Sequence, residues 1–437
     1  MKYFSLPTAV IFVCLGITVT FSQNFDDLRF SGNGIDVDPD GRVLPLSKEK
    51  SESLGNMVDD LLKKEPLPEG MDRKVLLRKI SLKKLDAQVK QIVNQYELLP
   101  DAIRYFGGLT SIDYIVAVPE ENDVLLIGPA EGWRTDSAGN IVGKQSGQSV
   151  LILEDFVTAL REWNRPTPPK SITCSFEPTQ DTLTKLAQLH RQYTNINANN
   201  ADAYAAALEE ACGDCPITIT GVSASSRFAK VLVGADFKMK RIALGLEPSQ
   251  VRGIPSYVSM VSVSQPNISP QFWLVPEYAT VAHDSKKLTW RLGDLKVRAS
   301  SRMAGGTDRA ALTWSRSLEE NYDALAKTHP VFGELRNNMK FALVAALIHQ
   351  EKLLKKADCQ LTILLDETKL KLVEQPEPKL VSYRSIKSQN GFSTIVACGG
   401  VEINPSGALK NNQRLDNKID PERVRLIKTT GNEWWSP

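Results

Sequence analysis

The run Phe341-Ala342-Leu343-Val344-Ala345-Ala346-Leu347-Ile348 is apolar around its whole circumference, and this constrains the chain more than any other feature. A helix with no polar face has to be buried on all sides. The run lies inside helical sequence at 332–354 and is far too short to cross a bilayer, which needs about 20 apolar residues. The chain must therefore build enough structure to enclose it. At 437 residues, 42% hydrophobic and 24% charged, it has the composition of a globular protein and the length for two or three domains.

The surrounding pattern mixes strand-like and helix-like runs without strict alternation. Residues 75–80 read as a strand, and Ser81 can cap the helix after it, where Leu82, Leu85, Val89, Ile92, Val93 and Tyr96 share one face. Pro100 opens a short second helix that Gly107-Gly108 closes. Runs 111–118 and 123–127 form a hairpin, a turn at 137–140 continues the sheet, and 154–163 is an amphipathic helix stopped by Pro166, Pro168 and Pro169. A second unit follows, with strand 171–176, helices 182–193 and 201–211, strand 217–222 and a helix from about 226 to 244. Short β-like runs at 257–263, 272–275, 288–292 and 295–297 suggest an antiparallel meander. Helices 318–326 and 332–354 come next, divided by His329-Pro330, and then strands at 360–365 and 393–397.

The expected fold class is α+β, with mixed helices and mostly antiparallel sheets in two or three subdomains. The expected organisation is a signal peptide at 1–22 and a polar lead-in at 23–70. An N-terminal α+β domain (71–166), a middle α/β unit (167–252) and a C-terminal α+β unit with the meander and the buried helix (253–403) follow, before a polar tail (404–437).

Residues 1–22 read as an export signal. Lys2 supplies the positive start, 9–19 are uncharged and apolar, and Thr20-Phe21-Ser22 places small residues where a signal peptidase reads. The expected location is secreted or periplasmic, with no transmembrane segment in the mature chain. The formal charge of +2 drops to +1 once Lys2 is removed. Such a chain has no electrostatic footprint for nucleic acid or for an anionic membrane surface.

Five cysteines remain after Cys14 is removed: Cys174, Cys212, Cys215, Cys359 and Cys398. In an oxidising compartment pairing is favoured, and an odd number leaves at least one unpaired within the chain. Cys212-Gly213-Asp214-Cys215 resembles a redox dithiol. It follows a helix, however, and the C-terminal end of the helix dipole disfavours a thiolate. A local Cys212–Cys215 disulfide is the expectation, with Cys359 and Cys398 as weaker candidates for a second and Cys174 left over.

Catalytic and metal templates fail one by one. Asp36-x-Asp38-x-Asp40-Gly41 opens like a calcium loop, but Ser47 stands where the bidentate glutamate belongs, so an Asp-Gly hairpin is the better reading. His190, His283, His329 and His349 are scattered. Ser81-x-x-Lys84 has no downstream Lys-Thr-Gly. No metal site and no cofactor are expected. The loop Gly128-Pro129-Ala130-Glu131-Gly132-Trp133 is the most unusual: Glu131 offers a carboxylate and Trp133 a ring that can stack on a ligand. The competing reading is a rigid turn in which Trp133 caps the core.

Several stretches taken together resemble a family of uncharacterised secreted proteins from planctomycete bacteria, a domain of unknown function. They are Gly108-Leu109-Thr110-Ser111-Ile112, Val118-Pro119-Glu120, 128–133, Leu153-Glu154-Asp155-Phe156 with Ala159-Leu160-Arg161, 235–240 and 330–337. The likeness covers about residues 70 to 400. It implies export and one shared architecture, and it carries no catalytic residue over. The functional expectation is an exported, non-catalytic binding or structural protein of the periplasm or cell envelope, with an envelope or extracellular partner. The alternative is a secreted hydrolase acting on extracellular carbohydrate or peptide near Glu131 and Trp133.

Overall fold

Two sheets carry the fold, and each draws strands from distant parts of the sequence. The computed structural model describes residues 34–62, 67–95, 97–194, 199–261, 270–302, 308–382, 386–387, 394–395, 398–428 and 433–437. The expected signal segment lies outside these residues.

In chain order the first elements are β1 (Ile35–Val37), β2 (Val43–Pro45), α1 (Lys48–Leu62), β3 (Val75–Ser81), α2 (Leu82–Asn94) and α3 (Asp101–Arg104). Then come β4 (Tyr114–Val118), β5 (Asp123–Ala130), β6 (Trp133–Thr135), β7 (Ile141–Gly143) and α4 (Leu153–Asn164). Ser81 caps α2 as its position suggests, its hydroxyl accepting from the Lys84 amide at 3.1 Å. At 36–41, Asp38 accepts from the amides of Asp40 and Arg42, and Asp36 pairs with Lys50, so two of the three carboxylates serve the hairpin and its neighbour.

The next elements are β8 (Ile172–Phe176), α5 (Gln180–Gln192), α6 (Ala201–Cys212), β9 (Asp214–Thr220) and α7 (Arg227–Ala243). They are followed by β10 (Gln271–Tyr278), β11 (Val281–His283), β12 (Thr289–Leu292), β13 (Leu295–Arg302), α8 (Arg309–Glu320), α9 (Tyr322–Thr328), α10 (Pro330–Gln350) and α11 (Leu353–Lys356). The chain closes with β14 (Leu380–Ser382), β15 (Ile386–Lys387), β16 (Thr394–Ile395), β17 (Cys398–Ile403), α12 (Pro405–Asn411), β18 (Gln413–Leu415), α13 (Ile419–Leu426) and β19 (Trp435–Ser436).

One sheet has the order β13-β10-β17-β8-β9-β14 and the other β18-β11-β12-β4-β5-β3-β19. Described strand pairs are antiparallel except β10 with β17 and β11 with β18, so the α+β reading holds. The expected meander is divided between the sheets. Runs 272–275 and 295–297 lie in β10 and β13, which pair in one sheet, whereas run 288–292 lies in β12 of the other, beside β11, a strand the pattern did not show. The two crossings are short and pack together: a Cβ at Gly293 would lie 2.7 Å from the Ala279 Cβ, so only glycine fits there.

Two expectations are corrected. Residues 360–365 form turns instead of a strand, because the Asp86 carboxylate captures the amides of Thr362, Ile363 and Leu364. The start of the run at 257–263 is a short 3-10 turn at Val258–Met260, and 262–263 lie outside the described residues. The polar tail joins the fold, with β18 and β19 forming opposite edges of the seven-stranded sheet and Trp435 lying beneath the Arg78 guanidinium.

Helix α10 is buried along almost its whole length, as its apolar run requires. Phe341 packs against Phe156 and Phe106, with ring centroids 5.5 and 6.3 Å away. No described helix is long and apolar enough to cross a membrane.

Candidate functional site

The chain crosses between its sheets at Gly293-Asp294, and beside that crossing lies a cleft of about 900 Å³. Ser111 and Asp113, in the segment leading into β4, form part of its lining. The Asp113 amide donates to the Ile127 carbonyl, and the Asp113 carbonyl accepts from Leu292, so flanking strands fix this backbone. Glu277, Lys296 and Arg298 come from β10 and β13, Glu319 and Glu320 from the end of α8, Asp323 from α9, and Arg336 and Lys340 from α10.

Much of the wall charge is already spent. Arg298 lies 3.3 Å from Glu277 and 3.4 Å from Glu319, and Glu319 also accepts from the Ala299 amide. Arg336 pairs with Asp323. The Asn337 amide holds the carbonyls of Ser149 and Val150, which fixes the neighbouring loop. What remains are the carboxylates of Asp113, Asp294 and Glu320 and the ammonium groups of Lys296 and Lys340, none of which forms an ion pair within 4 Å among the described residues.

Lys340 is 6% exposed, and its ammonium donates to the Gly293 carbonyl at 3.1 Å. Burial pulls its pKa down, opposed by the charges of Asp113 and Asp294. Burial likewise pushes the Asp113 carboxyl above its usual range; Lys340 and the Ser111 hydroxyl pull it back, while Asp294 adds to the rise. A partly desolvated carboxyl facing a buried ammonium in a cleft is the electrostatic pattern of binding and catalytic sites.

The residues singled out in the sequence lie elsewhere. Glu131 is 2% exposed, and its carboxylate accepts from the amides of Gln145 (2.8 Å) and Ser146 (3.1 Å) and from the Ser146 hydroxyl. It closes the loop that carries the β6–β7 hairpin. Trp133 is 4% exposed and packs edge-on to Tyr105, ring centroids 5.5 Å apart. Gly108 passes directly below them: a Cβ there would lie 2.0 Å from the Glu131 carbonyl, and its φ is +72°. Neither residue lines the cleft, and the rigid-turn reading describes both.

The cysteines are buried thiols in the structure, and neither expected disulfide is formed. Cys212 ends α6 and packs with Leu189, Tyr204 and Leu208, whereas Cys215 is in β9 and enters the central core. Cys359 faces Asp123 and Asp86 of the other sheet's surroundings, away from the cluster that holds Cys398. Burial pushes the thiols of Cys212 and Cys359 up to about 12.

Residues 174–257 match the model of a family described as a protein of unknown function, DUF1598. The chain carries a DUF1598 domain. No curated protein and no solved structure matches the chain. The DUF1598 segment contributes most of β8, all of α5, α6, β9 and α7, and none of the cleft lining. It supplies core charges instead. Arg227 reaches Asp155 and Glu334, and Lys240 pairs with Asp236 at 2.7 Å and donates to the Gly399 carbonyl at 3.0 Å.

Sequence reasoning missed Asp113, Asp294 and Lys340. The available signal was Lys340 immediately before the all-apolar run: an ammonium on a helix with no exposed face needs a polar neighbour. The neighbours come from residues 46 to 227 positions away in sequence, which pattern alone does not connect.

Proposed function

We propose that this chain is an exported, non-catalytic binding protein whose cleft receives a small hydrophilic ligand bearing a cationic group. The single observation that carries the reading is the cleft itself: about 900 Å³, walled by paired charges and leaving Asp113, Asp294 and Glu320 against Lys296 and Lys340. The volume lies within the usual range for ligand sites, roughly 300–1,000 Å³. Part of the wall is held by the Asn337 bonds to the Ser149 and Val150 carbonyls and the Lys340 bond to the Gly293 carbonyl, which limits reordering on binding. Export is supported by the pattern of residues 1–22.

A hydrolase acting on carbohydrate has less to draw on. Among the described residues Tyr322 is the only aromatic one in the lining; it is 5% exposed and its hydroxyl donates to the Phe332 carbonyl, which leaves little ring surface for a sugar. Glu131 and Trp133 are committed to loop closure and packing.

The test is calorimetric titration of the full chain at low ionic strength with tri-lysine, tri-glutamate and a neutral oligosaccharide. The reading expects heat from tri-lysine alone, weakening as salt screens the carboxylates. Saturable binding of the oligosaccharide or of tri-glutamate, with none of tri-lysine, contradicts it.

A further inference from the structure

The sheet that contains β9 sorts the cysteines onto two faces. Side chains alternate along a strand, so Cys215, Ile217 and Ile219 share one face of β9. Ile217 pairs with Phe176 and Ile219 with Cys174, and all of these pack into or against the central core. Across the same sheet Val401 pairs with Cys174, which puts Val401 on the core face and Cys398, an odd number of residues away, on the other. There Cys398 is buried in a small satellite cluster with Leu189 of α5 and Tyr204, Leu208 and Cys212 of α6. Among the groups acting on the Cys212 thiol, Cys398 acts more strongly than Cys215, only three residues along, or Glu209. The sheet therefore comes between the two halves of the Cys-x-x-Cys motif and brings its first cysteine to a distant third.

We infer that Cys212 and Cys398 are partner thiols that form a single disulfide on oxidation, locking the α5–α6 hairpin onto β17. Among the described residues the hairpin packs through a small cluster set apart from the main core, the kind of attachment that opens locally before the rest of a fold. Both thiols are buried, so oxidation proceeds when the hairpin opens. The Cys212 thiolate attacks one sulfur of a disulfide oxidant, forming a mixed disulfide and releasing one thiolate of the oxidant. The Cys398 thiolate then attacks the Cys212 Sγ and expels the second. Two protons and two electrons pass from the pair to the oxidant, which leaves as two thiols. Cys174 and Cys215, on the core face, and Cys359, beside Asp123, keep their thiols.

The experiment uses the full chain and oxidised glutathione. After incubation and quenching, the unreduced protein is cleaved with trypsin and with an enzyme that cuts before aspartate, which separates Cys212 from Cys215 at Asp214. The expected map links the peptide ending at Gly213 to the peptide carrying Cys398. Amide hydrogen exchange across 180–212 slows several-fold relative to the reduced chain. Cys215→Ser keeps the link, and Cys398→Ser abolishes it. Recovery of Cys212 linked to Cys215, or of Cys212 carrying only glutathione while Cys398 remains alkylatable, overturns the inference. The wild-type map decides the pairing without relying on either variant to fold.

Discussion

Arg227 donates to Glu334 at 2.8 Å while its other terminal nitrogen meets Asp155, so one guanidinium joins α7, α10 and α4 at the centre of the fold. The Asp155 Oδ1 and Glu334 Oε2 have no hydrogen-bond partner among the described residues. Removing the cation strands two buried carboxylates. Arg227→Ala is expected to destabilise the chain by about 3–5 kcal/mol, read as a lower urea midpoint, because a broken buried pair costs more than its absence. Replacing all three residues by apolar ones of similar size should recover most of that loss. A single substitution costing nothing would mean that the triad does not hold the helices.

The same triad gives a pH dependence of defined sign. Burial pushes the Asp155 carboxyl up, Arg227 opposes the rise and Glu334 adds to it. The folded chain therefore holds this proton more tightly than the unfolded chain. Above the ordinary carboxylate range of about 4, folded Asp155 binds more protons than unfolded Asp155, and its contribution to stability falls as pH rises towards the raised value. Urea midpoints of wild type relative to Asp155→Asn should decline across that interval. A relative midpoint that climbs with pH would show the carboxyl to be depressed.

Glu131 separates a structural role from a ligand role. Glu131→Ala removes the acceptor of the part-buried Gln145 and Ser146 amides, and is expected to cost about 1 kcal/mol of stability. Tri-lysine affinity should stay as in wild type, because the side chain does not line the cleft. Loss of affinity at unchanged stability would return this loop to the site.

The parts of the fold legible in the sequence are those set by local chemistry. The Ser81 cap, the face of α2, the hairpin of β4 and β5 and the burial of α10 all follow from spacing within one element. The turns at 360–365 did not, because Asp86 in another helix decides that backbone. Nor did the allocation of β10 to β13 between sheets, which depends on two crossings packing at Ala279 and Gly293. The site was hidden for the same reason. Asp113, Asp294 and Lys340 meet only after three segments converge, whereas Glu131 and Trp133, which drew attention through composition, close a loop and pack against Tyr105.

The most direct measurement of the central claim is tri-lysine affinity as a function of pH for wild type and Asp113→Asn. A carboxylate binds a cation only when ionised, and burial raises the pKa of Asp113. Wild-type affinity should therefore strengthen as pH rises from about 4 towards neutrality. The variant should bind roughly tenfold or more weakly at neutral pH, as expected for loss of a charged hydrogen-bond partner, and lose that pH dependence. Equal affinity of the two proteins at every pH, or no binding of tri-lysine by either, would contradict the assignment of the cleft as a cation-binding site.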